Sequence, residues 1–470
     1  MSSELDRLAA ACLFSGFDGV TAPDWLLRRI EGGLGGVVLF ANNIDSAGQL
    51  RSLTAELRRE RGELLVATDE EGGDVTRLEA RSGSSYPGNG ALGVVDDLRL
   101  TEEVAGSIAA DLASVGVNVD FAPVADVNSN PENPVIGIRS FGADPELVSR
   151  HVAAFVGGLQ AHRVAACAKH FPGHGDTAQD SHLELPTVAE PALEPFRAAI
   201  AAGVRTIMTA HVRVTSLGGE QATLSPRILG ELLRDELGFD GVAITDALEM
   251  RAVSATVGIE EGAVRALAAG ADALCLGAEV DDAFTGRVHE AIVAAVRAGR
   301  LAEDRLRQAA GRVADLAVWA VPDAGLAPAA VGAVAARRAL LVEGDAALAR
   351  PPLVLDHRPP ASIAAGEAEH GLAAVLGVPG AIRREADADL PDLDGHQPVL
   401  VVRDAHRHEW ERRAVKRALA AAPDAVVVEL GLPLWRPENA RGYIATYGGG
   451  RANLEAAASA LSGTGSPTGR

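Results

Sequence analysis

The sequence predicts an α/β protein, a (β/α)8 TIM barrel followed by a smaller α/β sandwich domain. Two observations predict the barrel. Eight short apolar runs rich in valine and isoleucine recur over about the first 310 residues, with helix-length segments between them. Residues able to carry protons stand where those runs end, the edge at which such barrels do chemistry. A third observation marks the second domain: beyond Trp319 the text turns rich in Ala, Pro and Gly, and a new set of apolar runs begins.

The eight runs are CLFSGF (12–17), GVVLF (36–40), LLVATD (64–69), VNVDFAPV (117–124), VAACAKHF (164–171), TIMTAHV (206–212), GVAITDA (241–247) and DALCLG (272–277). They are near-continuous hydrophobic runs, as expected of parallel strands buried on both faces. Between them, SAGQLRSLTAELRRER, PELVSRHVAAFVGGLQAHR and SPRILGELLRDELG carry helical spacing, and Ser225 with Pro226 reads as a cap-plus-proline start. An open, doubly wound sheet is the closest rival architecture. In the tail, PLVLD (352–356), PVLVVRDA (398–405), DAVVVELGLP (424–433) and YIATYG (443–448) read as strands separated by helices. The expected division is a catalytic barrel over 1–320, a linker over 321–334, a sandwich over 335–465 and a frayed terminus.

Composition narrows the function. The 470 residues are 47 % hydrophobic, enough for a large core, and the formal charge of −21 argues against nucleic acid or an anionic membrane surface as a partner. The beginning, MSSELDRLAAACLFSGFDG, has early acidic residues and no basic stretch ahead of an apolar one, so no export signal is expected. No segment is apolar over about 18 residues, so none is expected to span a bilayer. Cys12, Cys167 and Cys275 form an odd set in separate apolar stretches, which reads as buried, reduced thiols of a cytoplasmic protein.

Polar residues gather at the run ends. Asp69, Glu70 and Glu71 follow the third run, Asp120 and Asp126 flank the fourth, Lys169 and His170 end the fifth, His211 the sixth and Asp246 the seventh. Any one of them alone reads as a buried, hydrogen-bonded loop anchor; the set reads as a working site. The stretch AKHFPGHGDTAQDSHLELP (168–186) is broken by Pro172, Gly173 and Gly175, so it reads as a strand end running into a long irregular loop. Only two lysines occur in the chain, and one is Lys169, a compact ammonium where the sequence otherwise prefers arginine.

Asp246, at the end of an apolar run, is the candidate nucleophile. His182 is the candidate proton carrier, with Asp180 two residues before it to orient the imidazole and stabilise its charged form; the bland alternative is that Asp180 caps a turn. A metal-dependent hydrolase using His170, His174, His182, His211 and Asp246 is a rival, but no HxH or HExxH spacing is present. A non-catalytic sugar-binding protein is a second rival.

DEEGG with a following Arg77, NPVIGIRSFG (133–142), KHFPGHGDTAQDSH (169–182) and ITDALEM (244–250) occur in this order. In these motifs most of the first 320 residues resemble glycoside hydrolase family 3, specifically the two-domain type of its β-N-acetylglucosaminidase branch. The resemblance implies that Asp246 forms a covalent glycosyl-enzyme, that His182 with Asp180 is the acid/base dyad, and that Asp69, Arg77, Arg139, Lys169 and His170 hold the non-reducing-end sugar. It implies no cofactor and no metal. The expected partner is a small oligosaccharide, with phosphate as a possible acceptor in place of water; β-N-acetylglucosaminide phosphorylase and β-glucosidase are the alternatives within the family. The family often has arginine where Asp74 stands. The tail resembles the extra domain of two-domain members, with stabilisation and dimer contact both open as its role.

Overall fold

A computed structural model describes residues 3–180, 184–278, 280–325, 330–360, 370–383, 391–393 and 395–463. The chain divides into two compact units. One comprises Met1–Glu70, Thr101–Ile136 and Gly142–Pro328; the other comprises Glu71–Leu100, Gly137–Phe141 and Ala329–Arg470.

The first unit is the barrel. Its strands are β1 (Leu13–Ser15), β2 (Gly36–Leu39), β3 (Leu65–Thr68), β4 (Val119–Asp120), β5 (Ala165–Phe171), β6 (Thr206–Thr209), β7 (Val242–Thr245) and β8 (Leu274–Leu276). All neighbours pair in parallel, β8 pairs with β1, and a parallel bridge between Ile244 and Ala273 joins β7 to β8. The eight predicted runs are therefore the eight strands, and the sheet closes where the open-sheet rival would have left two edges. The run 117–124 yields only Val119–Asp120 as strand because Pro123 has no N–H to offer the ladder.

Alternation fills the barrel. Phe14, Val38, Leu65, Ala67, Val119, Cys167, Met208, Val242, Ile244 and Cys275 form one buried cluster, joined by Val313, Leu316 and Ala317 from the helix Glu303–Trp319. Trp319 ends that helix with the guanidinium of Arg205 4.5 Å from its ring centre, just ahead of β6. The helix thus packs at the amino ends of the strands and leaves the carboxyl ends for the loops. Around the barrel, Ser46 accepts from the Gln49 N–H, Asp144 from Glu146 and Asp281 from Phe284, each satisfying an otherwise orphaned donor at a helix start. The helix Arg227–Glu236 begins after Pro226 as expected, but Ser225 contributes its carbonyl, which accepts from Ile228 and Leu229, and its hydroxyl makes no cap bond.

The second unit is built on a six-stranded sheet of β9 (Leu341–Gly344), β10 (Pro352–Asp356), β11 (Ile382–Arg383), β12 (Gln397–Val402), β13 (Val426–Glu429) and β14 (Gly442–Ala445). The spatial order is β9-β14-β13-β12-β10-β11, parallel except for the β9–β14 pair. Val399 and Val401 face one core with Leu454 and Leu461, while Leu400 and Val402 face another with Val415 and Leu419. Helices Arg451–Leu461 and Glu409–Ala421 thereby cover opposite faces, which makes the sandwich. Among the described residues, no helix is long and apolar enough to cross a membrane.

Candidate active site at the carboxyl ends of the barrel strands

Each strand of the barrel hands its chain to a loop at the carboxyl end, and the apolar run stops there. Asp69 follows β3, Asp120 ends β4, Lys169 and His170 are among the last three residues of β5, His211 follows β6 and Asp246 follows β7. The β5–β6 register shifts between Ala168 and Phe171, so the ladder is irregular at the two residues the sequence singles out. Irregularities of this kind re-aim side chains next to functional sites. The Lys169–His170 peptide is cis.

The charged groups are paired. Nζ of Lys169 donates to Oδ1 of Asp69 at 2.7 Å, with the lysine side chain 2 % exposed and the aspartate 18 %. Nδ1 of His170 meets Oδ2 of Asp126 at 2.7 Å. The Asp126 carboxylate also accepts the backbone N–H of His174 at 2.6 Å and, at 3.3 Å, that of His170. Burial alone would raise its pKa, but the His170 imidazole and its hydrogen bond, together with His174, hold the carboxyl below the usual carboxylate range.

His174 is buried and its pKa is pushed down to about 4, chiefly by burial and partly by the neighbouring His170, against the pull of Asp126 and Asp246. It is neutral at physiological pH. Its Nδ1 lies 2.9 Å from Oγ1 of Thr177, and the Asn133 amide donates to its carbonyl at 2.9 Å. The rings of His170 and His174 meet edge to face with centres 6.2 Å apart. The supports Asn133 and Thr177 escape sequence reading, although the spacing HGDT places a hydroxyl three residues after the histidine, within reach of its own turn.

Asp246 is half-buried, and its Oδ1 accepts the N–H of Ala247 at 2.8 Å, which fixes one oxygen. His211, fully buried, donates from Nε2 to the Ala247 carbonyl at 3.1 Å, while its Nδ1 lies 2.8 Å from Oγ1 of Thr223. Ala247 is therefore held at its N–H by Asp246 and at its carbonyl by His211, whose other ring nitrogen is engaged by Thr223. Asp120 accepts the Glu70 N–H at 2.9 Å and is pushed well above the usual range by burial, with Glu70 and Asp69 adding to the rise.

Asp180 is half-buried in the loop after β5, its carbonyl accepting from Glu184 at 3.0 Å. His182 lies outside the described residues. Arg77 and Arg139 belong to the second unit. There Arg139 grips Glu71 through two parallel bonds, Nε to Oε2 at 2.9 Å and Nη2 to Oε1 at 2.7 Å, with side chains 10 % and 3 % exposed. Arg77 follows the Gly72–Val75 bridge and is half-buried. Among the described residues, no group of three His, Cys, Asp or Glu side chains is arranged to hold a metal ion.

Residues 17–316 match the family model for the glycosyl hydrolase family 3 N-terminal domain. The chain is 34 % identical over 325 residues to a beta-hexosaminidase A of Pseudoalteromonas piscicida, a match covering 62 % of this chain and 54 % of that relative, so about half the relative's length has a counterpart here. It is 37 % identical over 253 residues to a beta-hexosaminidase of Bordetella avium, covering 51 % of this chain and 72 % of the relative. Among solved structures it resembles a glycoside hydrolase family 3 beta-N-acetylglucosaminidase from Paenibacillus sp. strain FPU-7, with a TM-score of 0.88 and 32 % identity over 100 % of this chain and 98 % of that one.

Proposed function

Because the chain belongs to glycoside hydrolase family 3, we propose that it is a retaining exo-β-N-acetylglucosaminidase that removes terminal N-acetylglucosamine from short soluble oligosaccharides. The observation that carries this reading is Asp246. Its carboxylate stands at the end of β7 with one oxygen fixed by the Ala247 N–H, on the barrel rim that also bears the Lys169–Asp69 and His170–Asp126 pairs.

In the first step the Asp246 carboxylate attacks the anomeric carbon while His182 gives its proton to the departing glycosidic oxygen. In the second, water attacks the glycosyl-enzyme, His182 takes the proton back and Asp246 leaves as a carboxylate. Asp180 orients the imidazole and steadies its positive form. Asp69, Arg77, Arg139, Lys169 and His170 hold the hydroxyls and substituents of the sugar. No cofactor or metal enters these steps.

The names of the two hexosaminidases support a hexosamine as the sugar, and that of the Paenibacillus enzyme supports N-acetylglucosamine. Aromatic residues make up 4 % of the chain, few for the stacking platforms of a long polysaccharide, which supports chitin oligosaccharides or muropeptide fragments. The free thiols Cys12, Cys167 and Cys275, all buried, support a cytoplasmic setting.

The test is the initial rate on an aryl N-acetyl-β-glucosaminide beside the matching β-glucoside, with a chelator present and phosphate varied. Fast cleavage of the first alone is expected. Preference for the glucoside would move the enzyme to the β-glucosidases, loss of activity with chelator would restore the metal reading, and sugar 1-phosphate rising with phosphate would make it a phosphorylase.

A further inference from the structure

The segment Glu71–Leu100 follows a barrel strand in sequence but packs within the second unit. It opens with a tight turn in which Gly72 and Gly73 take positive φ of 76° and 59°, Glu71 donates to the Val75 carbonyl at 3.0 Å and Gly73 to that of Tyr86 at 2.8 Å. Asp74 sits on this turn, three residues ahead of Arg77. One carboxylate oxygen accepts the Gly449 N–H at 2.6 Å and the other is bonded to the guanidinium of Arg403. Arg403 immediately follows β12, and its own N–H is held by Oε2 of Glu411 at 3.0 Å, so the arginine starts from rigid backbone. The approach is close: a Cβ on Gly450 would lie 2.9 Å from the Gly73 carbonyl oxygen.

What the turn carries is the grip on Arg139. Glu71 holds the Arg139 guanidinium, and Asn89, later in the same segment, donates to the Arg139 carbonyl at 2.8 Å. Further along, Arg451 donates to Glu79 at 2.6 Å and Arg338 to Asp97 at 2.6 Å. Arg139 is thus placed by the segment, and the segment's first turn is placed by Asp74 and Arg403. An arginine at position 74 would set two guanidinium groups against each other; the aspartate and Arg403 are a matched pair.

We propose that Asp74 and Arg403 are positioning residues: their ion pair fixes the turn Glu71–Asp74, and through Glu71 the guanidinium of Arg139, one of the groups read above as holding the sugar. The proposal rests on the reading of Arg139 as a sugar-holding residue given above.

The test uses the full-length chain with Arg403→Gln, Arg403→Lys and Asp74→Asn, the last keeping an acceptor for Gly449 while removing the charge. Arg403→Gln is expected to raise KM for the aryl N-acetyl-β-glucosaminide about tenfold with kcat within about twofold, the pattern of lost uniform binding. Asp74→Asn should move KM the same way, and Arg403→Lys should recover most of the loss. Amide hydrogen exchange over residues 71–78 is measured in parallel and should quicken in Arg403→Gln and return in Arg403→Lys. An unchanged KM, or a fall in kcat and melting temperature that lysine does not rescue, overturns the proposal. If the wild type cleaves neither glycoside, the functional reading has failed and exchange decides: equal exchange in wild type and Arg403→Gln overturns the clamp on the turn.

Discussion

The carboxylate of Asp126 binds the side chain of His170 at 2.7 Å and the backbone N–H of His174 at 2.6 Å, so one buried anion sets the orientation of both histidines in the loop after β5. With Nδ1 taken by Asp126, His170 can use only Nε2 towards a sugar. Asp126→Asn keeps an oxygen for one donor and removes the charge. Hydrogen bonds to charged groups contribute about 1.5–3 kcal/mol, so kcat/KM is expected to fall roughly 10- to 100-fold. Steady-state kinetics with a melting curve checks this, and full activity would show that the histidines hold their places without it.

Asp246→Asn is nearly isosteric, and the asparagine oxygen can still accept from Ala247. Turnover should fall by about 10⁴-fold or more while the melting temperature holds. Mass spectrometry with a 2-fluoro sugar should label wild-type Asp246 and leave the variant unmodified. A labelled residue elsewhere would remove Asp246 from the nucleophile's role.

His182→Ala separates proton donation from attack. Glycosides with poor leaving groups should lose about 10²–10⁴-fold, the range of general acid catalysis, whereas activated aryl glycosides should lose far less in the first step. A series of aryl substrates of graded leaving-group pKa reads this directly, and equal losses across the series would exclude the acid role.

His174 makes a stability prediction with a definite sign. Its folded pKa of about 4 lies below the usual histidine value of 6.5, so between those pH values the unfolded chain binds more protons than the folded one. Stability therefore falls as pH drops through that window, by about 3 kcal/mol from this group. His174→Gln should flatten denaturant-derived stability between pH 6.5 and 4, and an unchanged slope would assign the acid sensitivity to other groups.

The barrel was legible because its strands are buried on both faces and so appear as unbroken runs of Val, Ile, Leu and Ala. β9 and β11 were not: Leu341–Gly344 ends in Glu343 and Gly344 at a sheet edge, and Ile382–Arg383 is too short to show a period. The strand-end residues could be read because a charged side chain directly after an apolar run is costly to bury without a partner. The partners themselves could not. Glu71 and Arg139 are 68 residues apart, Asp74 and Arg403 are 329 apart, and neither pairing leaves a local pattern. His211 was visible as a strand-end polar group, but its work on the Ala247 carbonyl depends on a loop 36 residues away.

The second unit is stitched from two segments that interrupt the barrel's chain and one that follows it, and that gives its assembly a timetable. Glu79 and Asp97 are made early, while Arg338, Arg403 and Arg451 arrive with the last third of the chain. At about 5–20 residues per second, a ribosome needs roughly 20–70 s to travel from residue 100 to residue 451. Throughout that interval the nascent segment 71–100 has no sheet to join. A chain cut after Trp319 would wait indefinitely, with Asp74, Glu79 and Asp97 facing water or a chaperone in place of their arginines.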